Sequence, residues 1–282
     1  MIQIQEALAG AIQTLRNNGV ESPRLDAELL LVHVLATNRA VVLAWPERML
    51  TRKELACYRD LVTRRASREP LPYIVGHREF YDLDLVVDPR VLIPRPETEL
   101  LIEHALEIAR QKEIPLLIAD VGSGSGAIAV TLAVHLPQAI VYALDSSAGS
   151  LAVTVENARR HGVMDRIHCL QGDLLEPLPE KVDLVTANLP YVTTDEWQDL
   201  PPDIHEFEPR TALDGGPTGL SLMERLLATA GAHLRPFGVI MLEIGASQGA
   251  GVTALAREHH HQAAVRLIQD YAGLDRLVII ET

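Results

Sequence analysis

The chain has 282 residues, of which 48% are hydrophobic and 22% charged, and this balance is that of a globular protein long enough for two domains. Its formal net charge of −13 argues against general nucleic-acid binding, and no apolar run approaches the ~20 residues that a membrane-spanning helix needs. The N-terminal stretch lacks the features of a signal peptide, and the two cysteines, Cys57 and Cys169, match no metal-ligand spacing. We therefore expect a cytoplasmic protein that holds no metal.

The first part of the chain has the periodicity of helices alone. Apolar side chains recur at helical spacing over three runs: 4–15, 25–36 and 52–67. Pro70 and Pro72 close the segment, and we predict a small helical domain over residues 1–75. Within it, residues 52–68 carry six Arg or Lys against two acids. We interpret this stretch as a solvated helix face, with a docking surface for an acidic or RNA-bearing partner as the alternative.

From residue 76 the pattern changes. Residues 79–88 alternate in the manner of a strand, and we assign residues 76–95 to a β-hairpin or linker. A helix is predicted to begin near Pro96, because proline suits the first helical position and Glu97 places an acid near the positive end of the helix dipole. Residues 96–282 are predicted to form the second domain.

Strand-like and helical runs alternate through this second domain. The strand-like runs are 116–121, 140–144, 167–170, 182–187, 239–244, 265–268 and 276–280. The helical runs between them are 127–136, 148–162, 220–234 and 247–260. Alternation predicts a mostly parallel α/β sheet covered on both faces, and the short link 269–275 predicts an antiparallel final pair. Seven strands with that finish are typical of the class I methyltransferase variant of the Rossmann-like fold.

A glycine-rich turn follows the first of these strands, in the stretch 120-DVGSGSGAIAV-130. Its glycines permit a tight turn and let a ligand approach the backbone near a helix N-terminus. We predict that five consecutive residues contact a cofactor: Gly122, Ser123, Gly124, Ser125 and Gly126. The same stretch satisfies the G-x-G-x-x-A pattern of dinucleotide folds, and a turn needed only for packing is the other alternative.

Three acids follow successive strands. Asp120 lies two residues before the glycine turn, Asp145 ends the second strand, and Asp173 follows the third. In open α/β sheets, ligands bind at the carboxyl ends of the strands. We predict that Asp120 meets the methionine end of S-adenosyl-L-methionine, that Asp145 binds the ribose hydroxyls, and that Asp173 contacts the adenine amine. Leu174 is predicted to pack on the adenine ring.

The fourth strand runs into 187-ANLPYV-192. An Asn-x-Pro-Tyr turn at this point resembles the motif of methyltransferases that modify planar amide or exocyclic amine nitrogens. Such a nitrogen is a weak nucleophile because its lone pair is delocalised. The Asn188 side-chain oxygen and a main-chain carbonyl can accept its two N–H bonds and hold it in line with the methyl group. Tyr191 can stack on the flat amide or base.

Several segments together resemble the PrmC/HemK family, the peptide chain release factor glutamine methyltransferases. The segments are 72–101, 120–129, 187–192, 207–220 and 242–249, and the similarity covers essentially the whole chain. The resemblance implies methylation of the glutamine in the Gly-Gly-Gln motif of release factors, with S-adenosyl-L-methionine as the methyl donor. It also implies that the helical domain recognises the substrate, with no nucleic acid or membrane as a direct partner.

The resemblance also implies roles for individual residues. Asn188, Pro190 and Tyr191 form the catalytic turn, in which the Leu189 carbonyl is the second acceptor and Asn188 also contacts the cofactor. Two further residues beside the turn, Arg95 and Glu97, are expected to order the substrate pocket, and a polar helix start is their alternative interpretation. The family has proline where this chain has Leu189, and we expect a working enzyme with a turn that is less restrained in φ.

Three rival functions share parts of this pattern. A glutamine methyltransferase acting on a ribosomal protein has the same pocket chemistry. An adenine-specific DNA methyltransferase has the same turn, but residues 71–282 hold 15 basic and 30 acidic residues, a poor balance for a DNA groove. A non-catalytic nucleotide-binding module retains the fold but does not need Asn188 and Tyr191.

Overall fold

The computed structural model describes residues 2–111 and 115–282, and the chain forms two compact units. The helical unit comprises Met1–His77 together with Pro201–Phe207, and the second unit comprises Arg78–Leu200 and Glu208–Thr282. The chain first passes from the helical unit to the second unit after His77, two residues beyond the predicted domain boundary at residue 75. The later segment of the helical unit was not predicted.

The helical unit contains five helices in its first part and one short helix in its later segment. They are α1 (Ile4–Asn17), α2 (Pro23–Leu35), α3 (Arg39–Ala44), α4 (Arg52–Ala66), α5 (Leu71–Val75) and α10 (Pro202–His205). Leu15, Leu30 and Leu31 are fully buried at the centre of the unit. Tyr58 lies among them and donates a hydrogen bond from its hydroxyl to the Ala27 carbonyl at 3.0 Å. This core covers the apolar stripes that the sequence pattern predicts.

Charge pairs hold the later segment in the helical unit. The buried Arg65 guanidinium lies 2.7 Å from Asp26 and 2.8 Å from Asp203, and Arg68 also pairs with Asp203. Buried charges are tolerated where they are paired in this way. The segment Pro201–Phe207 is thereby held by side chains that are more than 130 residues away in the chain.

The second unit begins with a hairpin, whose first residue, His77, is the last residue counted in the helical unit, and continues as an α/β sheet. Its strands are β1 (His77–Phe80), β2 (Leu83–Val86), β3 (Leu117–Val121), β4 (Ile140–Asp145), β5 (Ile167–Gln171), β6 (Val182–Ala187), β7 (Leu234–Glu243), β8 (Ala264–Gln269) and β9 (Asp275–Glu281). Its helices are α6 (Glu99–Ala109), α7 (Ala127–His135), α8 (Ala148–Arg160), α9 (Thr194–Gln198), α11 (Ser221–His233) and α12 (Gly249–His259). A 3-10 turn, Pro96–Thr98, precedes α6.

The seven strands from β3 onward form one sheet in the order β5-β4-β3-β6-β7-β9-β8. Pairs from β5 to β7 are parallel, and β9 is antiparallel to both β7 and β8. The predicted fold class is confirmed, including the antiparallel finish. All five residues of β3 are buried, as expected where helices cover both faces of a parallel sheet.

The strand order places a crevice at the centre of the sheet. From β3 the chain proceeds outward through β4 and β5, and then returns to the other side of β3 for β6 and β7. Ligands bind at such a switch point, beyond the carboxyl ends of the strands. The segments after β3, β4, β5 and β6 are those that carry the predicted site residues.

Candidate active site

A cavity lies at the switch point, and most of the predicted residues line it. The predicted residues in its wall are Arg95, Gly122, Ser123, Gly124, Ser125, Asp145, Asp173, Leu174, Asn188, Leu189 and Pro190. Four predicted residues lie outside this wall: Glu97, Asp120, Gly126 and Tyr191. Thr98 lines the cavity as well, although the sequence pattern did not single it out.

The glycine turn joins β3 to α7 in a conformation that requires glycine. Gly122, Gly124 and Gly126 have φ values of +75°, +56° and +81°, a region that side chains with a Cβ rarely adopt. The Gly122 N–H donates to the Leu144 carbonyl at 2.8 Å, which fixes the turn against β4. A Cβ added at Gly126 would lie 3.0 Å from Thr154 Cγ2, so this glycine serves helix packing behind the cavity.

Asp145 ends β4 and is bound to the glycine turn. Its Oδ2 accepts the Gly124 N–H at 2.9 Å, and its Oδ1 accepts the Ser147 N–H at 2.8 Å. A carboxylate has about four acceptor positions, so each oxygen retains one for a ligand hydroxyl. The carboxylate is thus held in a fixed orientation at the cavity wall.

Asp173 and Leu174 form the wall beyond β5. The Asp173 carboxylate is paired with the Arg225 guanidinium. Leu174 has φ +47°, a left-handed conformation that costs a non-glycine residue about 1–2 kcal/mol. Such backbone strain is concentrated at ligand-binding sites. Here it projects an apolar residue into the cavity wall beside an acid.

Asp120 lies beneath the glycine turn, away from the cavity wall. It is 1% exposed; its Oδ1 accepts the Thr186 hydroxyl at 2.9 Å, and its Oδ2 accepts the Ala129 N–H at 3.2 Å. Burial raises the pKa of Asp120 from 3.8 to about 7. Both oxygens therefore hold together β3, β6 and the start of α7. A direct contact to the cofactor stays a prediction.

Asn188 follows the last residue of β6. Its Nδ2 donates to the hydroxyl of the buried Thr98 at 3.2 Å, and this contact sets the amide so that Oδ1 is the group left for a ligand. Among the hydrogen bonds of residues 2–111 and 115–282, none ends on the Leu189 carbonyl. The turn therefore has two acceptors for a planar nitrogen, as the motif predicts.

The Leu189 side chain is 4% exposed and packs in the core beneath the glycine turn. A Cβ added at Gly122 would lie 3.1 Å from Leu189 Cδ2, so the two residues are in close contact. Packing restrains the turn at the position where the family has a proline. This packing opposes the greater freedom in φ that the sequence predicts for a turn without the proline.

The end of the turn is enclosed by a second glycine-rich segment, 214-DGGPTG-219. A Cβ at Gly215 would lie 2.4 Å from the Pro190 carbonyl oxygen, and one at Gly219 would lie 2.3 Å from that of Tyr191. The Gln248 side-chain amide donates to the same Tyr191 carbonyl at 2.8 Å. Only glycine fits at these two positions.

Tyr191 itself is half-buried behind the cavity wall and packs against the apolar core of the second unit. Burial, reinforced by the nearby Glu243 carboxylate, raises the pKa of Tyr191 to about 12, so the phenol stays neutral. Stacking on the substrate stays a prediction for this residue.

Glu208, which the sequence pattern did not identify, holds the cavity-lining Arg95 in place. It is 6% exposed and binds the segment before α6 through two groups: the Arg95 guanidinium at 2.5 Å and the Ile93 N–H at 3.1 Å. Glu97, two residues further on, is exposed. The order of this segment therefore comes from Glu208 and Arg95, and a pocket-ordering role for Glu97 stays a prediction.

The described ranges contain no group of three or more His, Cys, Asp or Glu side chains arranged to hold a metal ion. They also contain no helix that is long and apolar enough to cross a membrane.

The sheet order and the cavity at its switch point define the protein as a class I methyltransferase by fold. Two solved structures share this fold. A methyltransferase from Pyrococcus furiosus is 15% identical with a TM-score of 0.52, covering 71% of this chain and 89% of that one. A 16S rRNA methyltransferase from Thermus thermophilus is 17% identical with the same TM-score, covering 73% and 49%.

Closer relatives identify the family. The model "PrmC N-terminal domain" matches residues 6–76, and "Methyltransferase small domain" matches residues 96–200. The release factor glutamine methyltransferase of Moorella thermoacetica is 45% identical, covering 97% of this chain and 96% of the relative. That of Nitratidesulfovibrio vulgaris is 41% identical, covering 98% and 94%. The chain belongs to the release factor glutamine methyltransferase family and is a methyltransferase enzyme, which confirms the resemblance inferred from the motifs.

Proposed function

We propose that this protein transfers a methyl group from S-adenosyl-L-methionine to the side-chain amide nitrogen of the glutamine in the Gly-Gly-Gln motif of peptide chain release factors. One observation carries the proposal: Asn188 Oδ1 and the Leu189 carbonyl are both available as acceptors at one end of a cavity that begins at the glycine turn. The two N–H bonds of a primary amide match two acceptors.

The residues at the other end of the cavity fit the methyl donor. The glycine turn lets a ligand approach the backbone, and the oriented Asp145 carboxylate has a free acceptor position on each oxygen for two ribose hydroxyls. Asp173 would accept from the adenine amine, and Leu174 would pack on the ring. When bound, the donor supplies an electrophilic methyl group on a sulfonium centre.

The chain's own contribution to the transfer is orientation. The amide nitrogen has a delocalised lone pair, and holding both N–H bonds in the turn aims that lone pair at the methyl group. Positioning of this kind supplies a large part of the rate of a group transfer. After transfer the amide nitrogen is acidic enough to release its proton to water, so no buried base is required.

The proposed partner follows from family membership. The two relatives described above are release factor glutamine methyltransferases by name, and this chain spans nearly their full length, including the helical unit. We propose that the helical unit binds the release factor and that the protein works in the cytoplasm, where translation is terminated. No direct nucleic-acid contact is part of the proposal.

The test is methylation by the purified protein of a release factor whose Gly-Gly-Gln motif is intact, with labelled S-adenosyl-L-methionine and mass spectrometry of the product. A release factor with Gly-Gly-Asn in that place is the matched control substrate. We expect label on the glutamine alone and an Asn188→Ala variant reduced about a hundredfold. Label on a ribosomal protein glutamine and none on release factors would overturn the proposed substrate. Equal rates for Asn188→Ala and the parent would remove Asn188 from the mechanism.

A further inference from the structure

A buried acid lies beside the substrate turn and has no role in the function described so far. Glu243 ends β7, next to the strand that ends before Asn188, and the register pairs Ala187 with Leu242. The next residue on each strand is therefore Asn188 on one side and Glu243 on the other. Glu243 is 2% exposed and is not among the residues that line the cavity.

The surroundings of Glu243 leave its carboxylate short of donors. In the part of the chain that the structure describes, neither oxygen is in hydrogen-bond geometry with a donor, although the Thr98 and Asn188 side chains are close enough to lower its pKa. Arg276, from β9, also favours the charged form of Glu243, whereas the negative charge of Glu97 disfavours it. Tyr191 faces Glu243 as a neutral phenol. A buried unpaired carboxylate is costly, and one of this kind indicates a specific use.

Thr98 connects this acid to the substrate turn. Its hydroxyl accepts the Asn188 Nδ2–H at 3.2 Å, so its own hydrogen is free to rotate toward another acceptor. Thr98 is 3% exposed, which excludes bulk water from that role. Glu243 is the charged acceptor beside it.

We propose that Glu243 is a positioning residue for methyl transfer: it accepts the hydrogen of the Thr98 hydroxyl, which accepts from Asn188 Nδ2 and thereby keeps Asn188 Oδ1 directed at the substrate amide. The inference rests on the proposed function of Asn188. An amide that rotates by half a turn would present N–H groups to the substrate N–H groups and could not bind them. The relay from Glu243 to Asn188 selects the other orientation.

Protonation of Glu243 weakens the relay, because a neutral carbonyl oxygen is a weaker acceptor than a carboxylate. Burial raises the pKa of Glu243 to about 7, against the contributions of Thr98, Arg276 and Asn188. Above that pH the carboxylate accepts from Thr98; below it the neutral acid accepts more weakly and can donate its own hydrogen instead. The turnover number should therefore fall as the pH drops below about 7. Glutamine is likewise a neutral acceptor and does not titrate, so Glu243→Gln should keep the turnover of the protonated parent at every pH.

The experiment measures turnover, KM for a release factor and binding of S-adenosyl-L-methionine for two pairs of variants. Glu243→Leu and Thr98→Val break the relay, whereas Thr98→Ser retains it and Glu243→Gln retains only the weaker, neutral acceptor. We expect the first pair to lose about a hundredfold in turnover, with donor binding by calorimetry within about threefold of the parent, and the second pair to lose less than about tenfold. The double variant Glu243→Leu/Thr98→Val should be no slower than the slower single variant, because both remove the same relay.

The pH profile separates positioning from a structural role. The parent should lose turnover below about pH 7, and Glu243→Gln should lack that loss. Full turnover in Glu243→Leu, multiplicative losses in the double variant, or an unchanged profile in Glu243→Gln would overturn the inference. If Glu243→Leu does not fold, the Thr98→Val and Thr98→Ser pair decides. A parent that methylates no glutamine would instead contradict the proposed function.

Discussion

The guanidinium of Arg95 lies 2.5 Å from the carboxylate of Glu208, and this pair fixes the segment that enters α6 along one side of the cavity. The second Glu208 oxygen accepts the Ile93 N–H at 3.1 Å. One buried side chain thus joins the segment before the 3-10 turn to the segment after Phe207. The local shape of this side of the cavity depends on it.

Glu208→Ala should destabilise the protein by about 2 kcal/mol and raise KM for the release factor, because it leaves the Ile93 N–H and the Arg95 guanidinium without their acceptor. Urea denaturation and steady-state kinetics measure the two effects. Glu281→Ala is the matched control, since it removes an exposed partner of Arg266 and should cost under about 1 kcal/mol. Equal costs for the two variants would contradict the role of Glu208.

Leu189→Ala should separate stability from chemistry in the substrate turn. The Leu189 side chain is buried against Gly122, so its truncation should cost about 2–3 kcal/mol, while its carbonyl remains as an acceptor. We expect turnover within about fivefold of the parent at 20 °C. Asn188→Ala should show the opposite pattern, with a small change in stability and a large loss of turnover. Loss of turnover in both variants would assign the Leu189 side chain a part in substrate binding.

Leu174 allows strain and ligand contact to be measured separately. Leu174→Gly relieves a left-handed φ of +47°, whereas Leu174→Ala keeps that conformation, and both lose the side chain proposed to cover adenine. Calorimetry should show about tenfold weaker donor binding in both variants. The glycine variant should melt at a higher temperature than the alanine variant. Unchanged donor affinity in both would exclude Leu174 from the adenine site.

The close approach at Gly219 predicts a severe effect from one methyl group. In Gly219→Ala the new Cβ would lie 2.3 Å from the Tyr191 carbonyl oxygen, at a φ of +69°, so the turn must move. We expect a loss of about 3 kcal/mol or more together with most of the turnover. Gly10→Ala is the control, because nothing lies within 4 Å of the added Cβ in α1, and alanine should stabilise the helix. A mild Gly219→Ala variant would show that the turn is not closely enclosed.

The buried Asp120 predicts a difference in pH dependence between the parent and Asp120→Asn. Its folded pKa of about 7 lies above the unfolded value near 3.8, so the folded state binds the proton more tightly. The free energy of unfolding of the parent should therefore fall relative to that of the variant as the pH rises from about 4 to about 7. The expected fall is on the order of 2–4 kcal/mol. Denaturation of both proteins at pH 5 and pH 8 measures this difference. A constant difference would show that Asp120 is ionised throughout.

The sheet was predictable because its strands are short apolar runs separated by amphipathic helices. The strands β3, β6 and the core of β7 are buried on both faces of the sheet, so their sequences are nearly continuous apolar runs. Such runs predict buried strands without knowledge of which strands are neighbours. The start of β7 at Leu234 was missed, since the residues near Phe237 are exposed and interrupt the pattern. Short helices such as α3 and α9 have too few turns to show a period.

The cavity wall was predictable where polar residues and strand ends coincide, since Asp145 and Asn188 both line it. It was not predictable where a residue acts through a partner that is distant in sequence. Glu208 meets Ile93 across 115 residues, and Asn188 meets Thr98 across 90. At Asp120 the limit lies in the other direction. Its place before the glycine turn predicts a ligand contact, whereas in the structure both of its carboxylate oxygens accept hydrogen bonds inside the core.

The two units of this protein cannot be separated by cutting the chain at one peptide bond. The seven residues Pro201–Phe207 belong to the helical unit, yet they are encoded between Tyr191 and Glu208, which are parts of the second unit. A shortened chain that starts at Arg78 would carry Asp203 without Arg65 and Arg68. An exchange of N-terminal segments between relatives must likewise keep the acid and its arginines matched. The helical unit is therefore completed only by residues that follow the Asn188–Tyr191 turn in the chain.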